Sequence, residues 1–375
     1  MAWLKRVAVV AVGAALLLES AGHSAHGSGP NPGGEPWLDG AVSRPHLDPP
    51  GAPPPQHLRL PDAASAPVLL DSKELIVPPQ LRLMVFAPHP DDETLSAGGL
   101  IQRVLATGGT VRVVFVTNGD GYVDGVRSEL HRTLTSTSDF IAYGQRRHGE
   151  ALRALQRLGL QRTDGVFLGF PDDGIDDLWA AHWSRHRPYT SPYTRSARPP
   201  YKESLSQKVE YAGAGLEAEI SRTLREFNPQ WVLMPDPRDR HPDHCTTGVF
   251  VLDALRALHH DSDAGFARPE VFTYLVHSPN YPASPGWVKA IVGAGVGGSS
   301  TAGRALSQTR WLSFTVHPSE LAVKQAALLE YHTQVQVMNP FLQQFLRSSE
   351  LFAQLDATQV RTVAREYAAR FRRPN

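Results

Sequence analysis

Short apolar runs alternate with helical stretches from residue 81 to residue 347, and this alternation constrains the fold more than any other feature. Residues 81–87 (LRLMVFA) form a run of buried-strand type broken by Pro88, and residues 93–107 read as a helix that Gly108-Gly109 ends. Residues 110–117 (TVRVVFVT) are β-branched and strand-like, and residues 144–158 place Leu152, Leu155 and Leu158 on one helix face. A strand resumes at 165–168, a helix over 215–227 precedes a strand at 231–235, and residues 242–259 form a helix with Val251, Leu252, Leu255 and Leu258 inward. Strands at 271–276 and 310–315 and helices over 318–330 and 340–347 complete the series. Repeated β-α-β order predicts an α/β protein with one mainly parallel sheet covered by helices on both faces. Ligands of such sheets bind beyond the carboxyl ends of the strands, so function should sit just after each strand.

The chain before this series has a different character. Lys5 and Arg6 precede an apolar run over residues 7–18, followed by Ser20, Ala21 and Gly22, which is the order of a secretory signal. The run is too short for a membrane span, which needs roughly 20 residues. A signal peptide over residues 1–25 is therefore expected, with an uncleaved anchor as the alternative, and export to the periplasm or the extracellular side follows. No later stretch is long and apolar enough to span a bilayer. Residues 26–70, rich in proline and glycine with Pro53-Pro54-Pro55, read as a solvated linker that can hold the rest of the chain near the envelope. Residues 71–375 then form the folded domain, with an aperiodic insertion around 178–213.

Lys plus Arg equal Asp plus Glu at 37 each, so no net charge draws the chain to nucleic acid or to an anionic membrane. The single cysteine, Cys245, rules out an internal disulfide framework and any cysteine-cluster metal site. A metal must then be held by histidines and carboxylates. Two such clusters fall at strand ends: His89-Pro90-Asp91-Asp92-Glu93 after the first strand, and Asp236-Pro237-Arg238-Asp239-Arg240-His241-Pro242-Asp243-His244 after the strand at 231–235. His89 and Asp92 are three apart at a turn entering a helix, as are His241 and His244 where Pro242 can take the first helical position, so each pair can face one point. Catalytic zinc typically takes three ligands from His and Asp or Glu and keeps a position for water. One of Asp91 and Asp92 can bind metal while the other stays free as a base. Taken singly, each cluster also fits helix-capping acids and surface histidines; their occurrence at equivalent strand ends favours a metal site.

These motifs resemble those of the GlcNAc-PI de-N-acetylase family, also called PIG-L or LmbE-like, of zinc-dependent sugar N-deacetylases. Supporting matches are Arg147-His148-Gly149-Glu150, the segment Leu168 to Gly174 (LGFPDDG), Lys324 through Tyr331 to Gln334, and Glu350-Leu351-Phe352. The resemblance implies a Rossmann-like, LmbE-like fold with His89, Asp92 and His244 as zinc ligands and Asp91 as general base. It further implies that His241 is the electrostatic partner of the reacting oxygen, Asp243 an orienting residue, and Arg147 a substrate contact. Another divalent ion, such as Fe2+ or cobalt, also suits a His and carboxylate set. The function expected is removal of the N-acetyl group from an N-acetylated sugar or oligosaccharide. The alternatives are an amidase of the same metal chemistry on a non-sugar amide and a non-catalytic carbohydrate-binding protein.

Other features are less specific. Residues 170–177 hold four aspartates, which read as a solvated or calcium-binding turn or as a substrate contact. Residues 293–303 are glycine-rich without the Gly-Lys-Ser/Thr ending of a phosphate loop, and suit a lid. His277, which follows a strand, reads as a structural histidine or as one that reaches the site, and Cys245 reads as a small core residue. Trp179, Trp183, Tyr189, Tyr193 and Tyr201 mark either an ordinary surface excursion or a glycan-binding insertion whose rings stack on sugars, and the second predicts faster turnover of an oligosaccharide than of a monosaccharide.

Overall fold

The computed structural model describes residues 72–260, 266–278 and 309–371; the expected signal peptide, the proline-rich stretch expected to be a linker and the glycine-rich stretch lie outside the described residues. The apolar runs become strands β1 (Lys73–Glu74), β2 (Arg82–Ala87), β3 (Thr110–Thr117), β4 (Gly165–Phe170), β5 (Trp231–Pro235), β6 (Glu270–Tyr274), β7 (Arg310–Thr315) and β8 (Ser349–Leu355). Between and after them run α1 (Asp92–Ala106), α2 (Val123–Leu130), α3 (Thr137–Arg157), α4 (Ile175–Ala180), α5 (Gly213–Phe227), α6 (Pro242–His260), α7 (Pro318–Leu328), α8 (His332–Leu342) and α9 (Ala357–Phe371). The strands form one sheet in the order β1-β7-β8-β6-β5-β2-β3-β4. All pairings are parallel except those of β8, which runs antiparallel to both β6 and β7. The fold is thus α/β with a mainly parallel sheet. Among the described residues no helix is long and apolar enough to cross a membrane.

Side chains alternate across the sheet with period two, and β2 shows why its sequence is apolar throughout. Leu83, Val85 and Ala87 face a core shared with Leu100 and Ile101 of α1, Leu152 and Leu155 of α3 and Leu328 of α7. Met84 and Phe86 face the opposite core, with Leu216 and Ile220 of α5, Phe250 and Leu255 of α6 and Val363 of α9. Burying each large side chain is worth about 1.5–3 kcal/mol, so a strand covered on both faces gains from apolar residues at every position.

Several elements differ from expectation. Helix α3 starts at Thr137 rather than near residue 144, because the Asp139 carboxylate accepts the Ser136 main-chain N–H at 2.7 Å and closes the helix start there. Pro340, expected to open a helix, lies instead inside α8, two residues before its end, where it has no N–H to give the carbonyl four residues earlier. The aromatic residues of the 178–213 segment are largely spent on packing. Trp179 is only 2% exposed, edge-on to Phe250 at 4.8 Å, and Trp183 stacks on the same Phe250 ring. Trp179 therefore fills the core against α6 and presents no face to a sugar.

Helix α1 is interrupted at Ala97, whose φ of −140° is not helical. The break leaves the Leu95 carbonyl and the Gly99 and Leu100 amides without their usual partners. A buried ion pair fills the gap. Lys324 Nζ of α7 donates to Leu95 O at 2.9 Å and to Glu350 Oε1 of β8 at 2.8 Å. The Glu350 carboxylate accepts Gly99 N at 2.8 Å and Leu100 N at 2.9 Å. The glycine pair permits the approach, since a Cβ at Gly98 would lie 2.9 Å from Lys324 Cγ.

Candidate metal centre

After β2, the chain lays β3 and β4 to one side, then returns through α5 to place β5 on the other side of β2. The carboxyl ends of β2 and β5 thus adjoin where the strand order reverses, and the motifs that follow them meet there. Residues 88–91 turn into α1, and residues 236–241 turn into α6, which begins with Pro242.

Three buried donor atoms converge at this point. His89 Nδ1 lies 3.2 Å from His244 Nε2, Asp92 Oδ2 lies 3.2 Å from His244 Nε2, and His89 Nδ1 lies 3.4 Å from Asp92 Oδ2. Zinc bonds of about 2.0–2.1 Å in a tetrahedron separate ligand atoms by roughly 3.3 Å, so the triangle has the size of one zinc face. Its two nitrogens and one oxygen also suit other borderline divalent ions. A second trio, His89, His241 and Asp243, shares one corner with the first.

Charge within the triangle is tightly balanced. Burial alone would raise Asp92, but His244 and His89 hold its carboxyl well below the usual range. Burial would lower His244, but Asp92 and Asp239 push it up to about 9. Burial likewise opposes His89, whose imidazole Asp172, Asp243 and Asp92 hold well above its ordinary value. A metal ion binding here competes with protons.

The carboxylates around the triangle set its geometry. His89 Nε2 lies 3.0 Å from Asp172 Oδ1 and 3.2 Å from Asp243 Oδ2, so donation there keeps the proton on Nε2 and leaves Nδ1 free as a ligand. Asp243 also accepts Asp173 N at 2.8 Å and Ile175 N at 3.1 Å, which pins the loop after β4 to α6. Toward His241 it offers its main-chain N–H, donated to Nδ1 at 3.2 Å. A neutral His241 therefore carries its proton on Nε2. Burial, with His89 and His244 nearby, pushes its pKa down to about 4 and keeps it neutral.

Asp91 adjoins the triangle without joining it. Its backbone has φ 132°, outside the comfortable range of a residue with a Cβ. Burial pushes its carboxyl up to about 8, against the pull of the Arg147 guanidinium 3.5 Å away. Arg147 itself is 3% exposed and donates to Pro90 O at 2.7 Å and Gly119 O at 3.0 Å.

Sequence reasoning left several site residues without a role. Asp172 belonged to a loop left open between a solvated or calcium-binding turn and a substrate contact, yet it stands two residues past β4, where the same strand-end rule that located the histidines would have placed it at the site. Asp239 accepts His241 N at 3.0 Å, Val276 N at 2.8 Å and His277 N at 3.0 Å and faces His244 Nδ1 at 3.6 Å. Glu93 accepts the Tyr331 hydroxyl at 2.6 Å and the Asp91 N–H at 3.3 Å, bracing the turn from behind. His277 packs 4.8 Å from the His244 ring and stacks on Phe341, and burial together with His244 pushes it down to about 3. Cys245 points to Pro237 O and to the Tyr367 hydroxyl, and burial pushes its thiol up to about 12.

Comparison with known proteins falls on the same residues. The family model described as GlcNAc-PI de-N-acetylase, PIG-L, matches residues 84–255, which include both motifs. A 1D-myo-inositol 2-acetamido-2-deoxy-alpha-D-glucopyranoside deacetylase of Kribbella flavida is 29% identical over 202 residues, covering 52% of this chain and 61% of the relative. The protein of the same name from a Mycobacterium species is 34% identical over 169 residues, covering 44% and 47%. A diacetylchitobiose deacetylase of Thermococcus kodakarensis is 26% identical over 219 residues, covering 53% and 62%. The chain thus spans about half to three fifths of the length of these curated relatives. Among solved structures, an N,N'-diacetylchitobiose deacetylase from Pyrococcus horikoshii aligns with a TM-score of 0.44 and 17% identity over 73% of this chain and 83% of that one, a likeness too loose to bear on the site. The matched segment, residues 84–255, holds every donor of the triangle, so the likeness to the GlcNAc-PI de-N-acetylase (PIG-L) family falls on the site itself.

Proposed function

We propose that the protein is a metal-dependent hydrolase that removes the acetyl group from an N-acetylated sugar. The observation that carries this reading is a metal-sized triangle, His89, Asp92 and His244, with a buried carboxylate, Asp91, beside it and not among its members. A carbohydrate-binding protein has no use for that extra carboxylate. The names of the relatives, all deacetylases of acetamido sugars, support the choice of bond.

Bound in the triangle, a divalent metal such as zinc supplies Lewis acidity toward the acetamide carbonyl and lowers the pKa of a coordinated water. The chain's own residues handle protons and charge. Asp91 takes the proton of the attacking water and returns it to the departing amine, so that water and amide become acetic acid and amine. His241, with its proton on Nε2, donates to the carbonyl oxygen as negative charge develops there. Asp172 and Asp243 hold the His89 ring in its ligand tautomer.

The signal-like order of residues 1–25 supports the further proposal that this reaction takes place outside the cytoplasm, in the periplasm or beyond it. Amine release from a panel of N-acetylated mono- and oligosaccharides, with and without a chelator, tests the catalytic reading. Chelator-sensitive release from sugars is the expected result. Release from non-sugar amides alone would transfer the site to an amidase, and a chelator-insensitive rate would remove the metal. Fractionation of cells expressing the intact chain tests export, and retention in the cytoplasm would overturn it.

A further inference from the structure

The turn that presents Asp91 is held from outside its own strand. Its φ of 132° is one that a residue with a Cβ keeps only when neighbours over-determine it. On the chain itself, Leu95 N donates to Asp91 O at 2.9 Å, and Asp91 N donates to Glu93 Oε2 at 3.3 Å. The turn after β3 adds a second tie, because Thr117 gives both its N–H, at 3.0 Å, and its hydroxyl, at 2.9 Å, to Pro88 O.

Arg147, reaching in from α3, makes a third. Nη2 donates to Pro90 O at 2.7 Å and lies 3.5 Å from Asp91 Oδ2, while Nη1 donates to Gly119 O at 3.0 Å. One planar guanidinium thus joins the β2-end turn, the β3-end turn and the Asp91 carboxylate. Space has been cleared for it. Gly119 has φ +65°, and a Cβ there would collide with the guanidinium. At 3% exposure the arginine has no face left for a sugar.

We propose that Arg147 is a positioning residue for Asp91, acting as a bracket between the two strand-end turns, and not a contact to the substrate. The proposal rests on the deacetylase reading, since it assigns Asp91 the proton transfer. It makes separable demands on kcat and KM. A bracket fixes where the base stands when the proton moves, whereas a sugar contact holds the substrate in ground and transition states alike.

The test compares the full chain with Arg147→Lys, Gly119→Ala, Asp91→Asn and the double variant Asp91→Asn/Arg147→Lys, on N,N'-diacetylchitobiose and N-acetylglucosamine, with metal content measured on each protein. Lysine keeps the charge and loses the two-armed geometry, so kcat should fall about 10- to 100-fold, as a misplaced catalytic group requires. KM should stay within about twofold of the parent on either sugar. Metal content should not change. Gly119→Ala, which removes no functional group, should produce the same split by displacing the guanidinium. Once Asp91 is disabled, Arg147→Lys should slow the enzyme by less than about threefold more, because residues acting as a unit are not additive.

A tenfold or larger rise in KM with kcat preserved would return Arg147 to substrate contact. Metal loss in step with activity would make it a support of the triangle, and multiplying losses in the double variant would make it independent of Asp91. Failure of both Arg147→Lys and Gly119→Ala to fold, with Asp91→Asn folded, would reduce the bracket to a folding element. An active parent with any of these results sinks the inference alone. A parent that releases no amine sinks the deacetylase reading, and this inference with it.

Discussion

Replacing Glu350 by alanine tests how far the fold depends on the ion pair that fills the break in α1. The carboxylate accepts from Gly99 N at 2.8 Å, Leu100 N at 2.9 Å and Lys324 Nζ at 2.8 Å, and both charged side chains are buried. Alanine would leave the lysine charge uncompensated, and breaking a buried pair from one side costs about 3–5 kcal/mol. Each helix amide that loses its acceptor away from water adds about 1–3 kcal/mol. The terms overlap, since one carboxylate serves all three donors, so the expected loss is about 4–6 kcal/mol. That is a large share of the roughly 5–15 kcal/mol by which folded proteins are stable. Urea unfolding followed by far-UV circular dichroism reads the loss as a lower midpoint at unchanged slope. Removing the charge as well, in Lys324→Met/Glu350→Ala, should recover the ionic part and leave a deficit of about 2–4 kcal/mol from the amides. A loss below about 1 kcal/mol in the single variant, the worth of an exposed pair, would refute the reasoning. So would full recovery in the double variant.

Alanine at His89, Asp92 or His244 should lower metal content and activity together, and stoichiometric metal in all three purified variants would dismiss the triangle as a metal site. Asp91→Asn should keep its metal and lose about 10²- to 10⁴-fold in rate, and near-normal turnover would take Asp91 out of the mechanism. Asp120, whose carboxylate accepts the Tyr201 hydroxyl at 2.5 Å, is pushed up to about 7 by burial and by Asp172, so its contribution is complete below the unfolded carboxylate range and is lost as pH rises through 7. Asp120→Asn should accordingly lose less stability than the parent between about pH 4 and pH 7 in urea titrations, and parallel curves would refute the assignment. Trp179→Ala should cost about 3–5 kcal/mol of stability and leave the ratio of oligosaccharide to monosaccharide turnover unchanged, a shifted ratio being the contrary result.

What the sequence disclosed follows from burial. Strands β2, β3 and β5 are covered on both faces, so they stand out as apolar runs, and the two motifs stand out because strand ends are where such a sheet exposes side chains to a ligand. Strand β8 (SELFAQL) escaped because Glu350 interrupts it, and nothing local says that this carboxylate will be buried against the amides of a helix 250 residues away in the chain. Asp172 was within reach of the strand-end rule, but its pairing with His89 was not: that partner is 83 positions earlier, and only the adjacency of β2, β3 and β4 brings them together. Helix α9 is a different case. Val360, Val363, Ala364 and Tyr367 are buried at helical spacing, a stripe that was readable and was not read. Trp179 shows the limit of composition, since aromatic rings near a sugar-processing site fill a core as readily as they line a cleft.

The placement of β8 has a consequence for how the chain is made. Among the described residues it is the last strand in sequence, yet it lies between β6 and β7 and is the only link from the β1-β7 pair to the rest of the sheet. While the ribosome is still adding residue 348, β6 has a bare edge and β7 has no route into the sheet. An open parallel edge of that kind is a template for strands of other chains, so the nascent protein passes through a window of vulnerability to misassembly. Because the same strand delivers Glu350 to the break in α1, sheet closure and repair of the first helix arrive in one step, and a chain stopped short of β8 forfeits both at once.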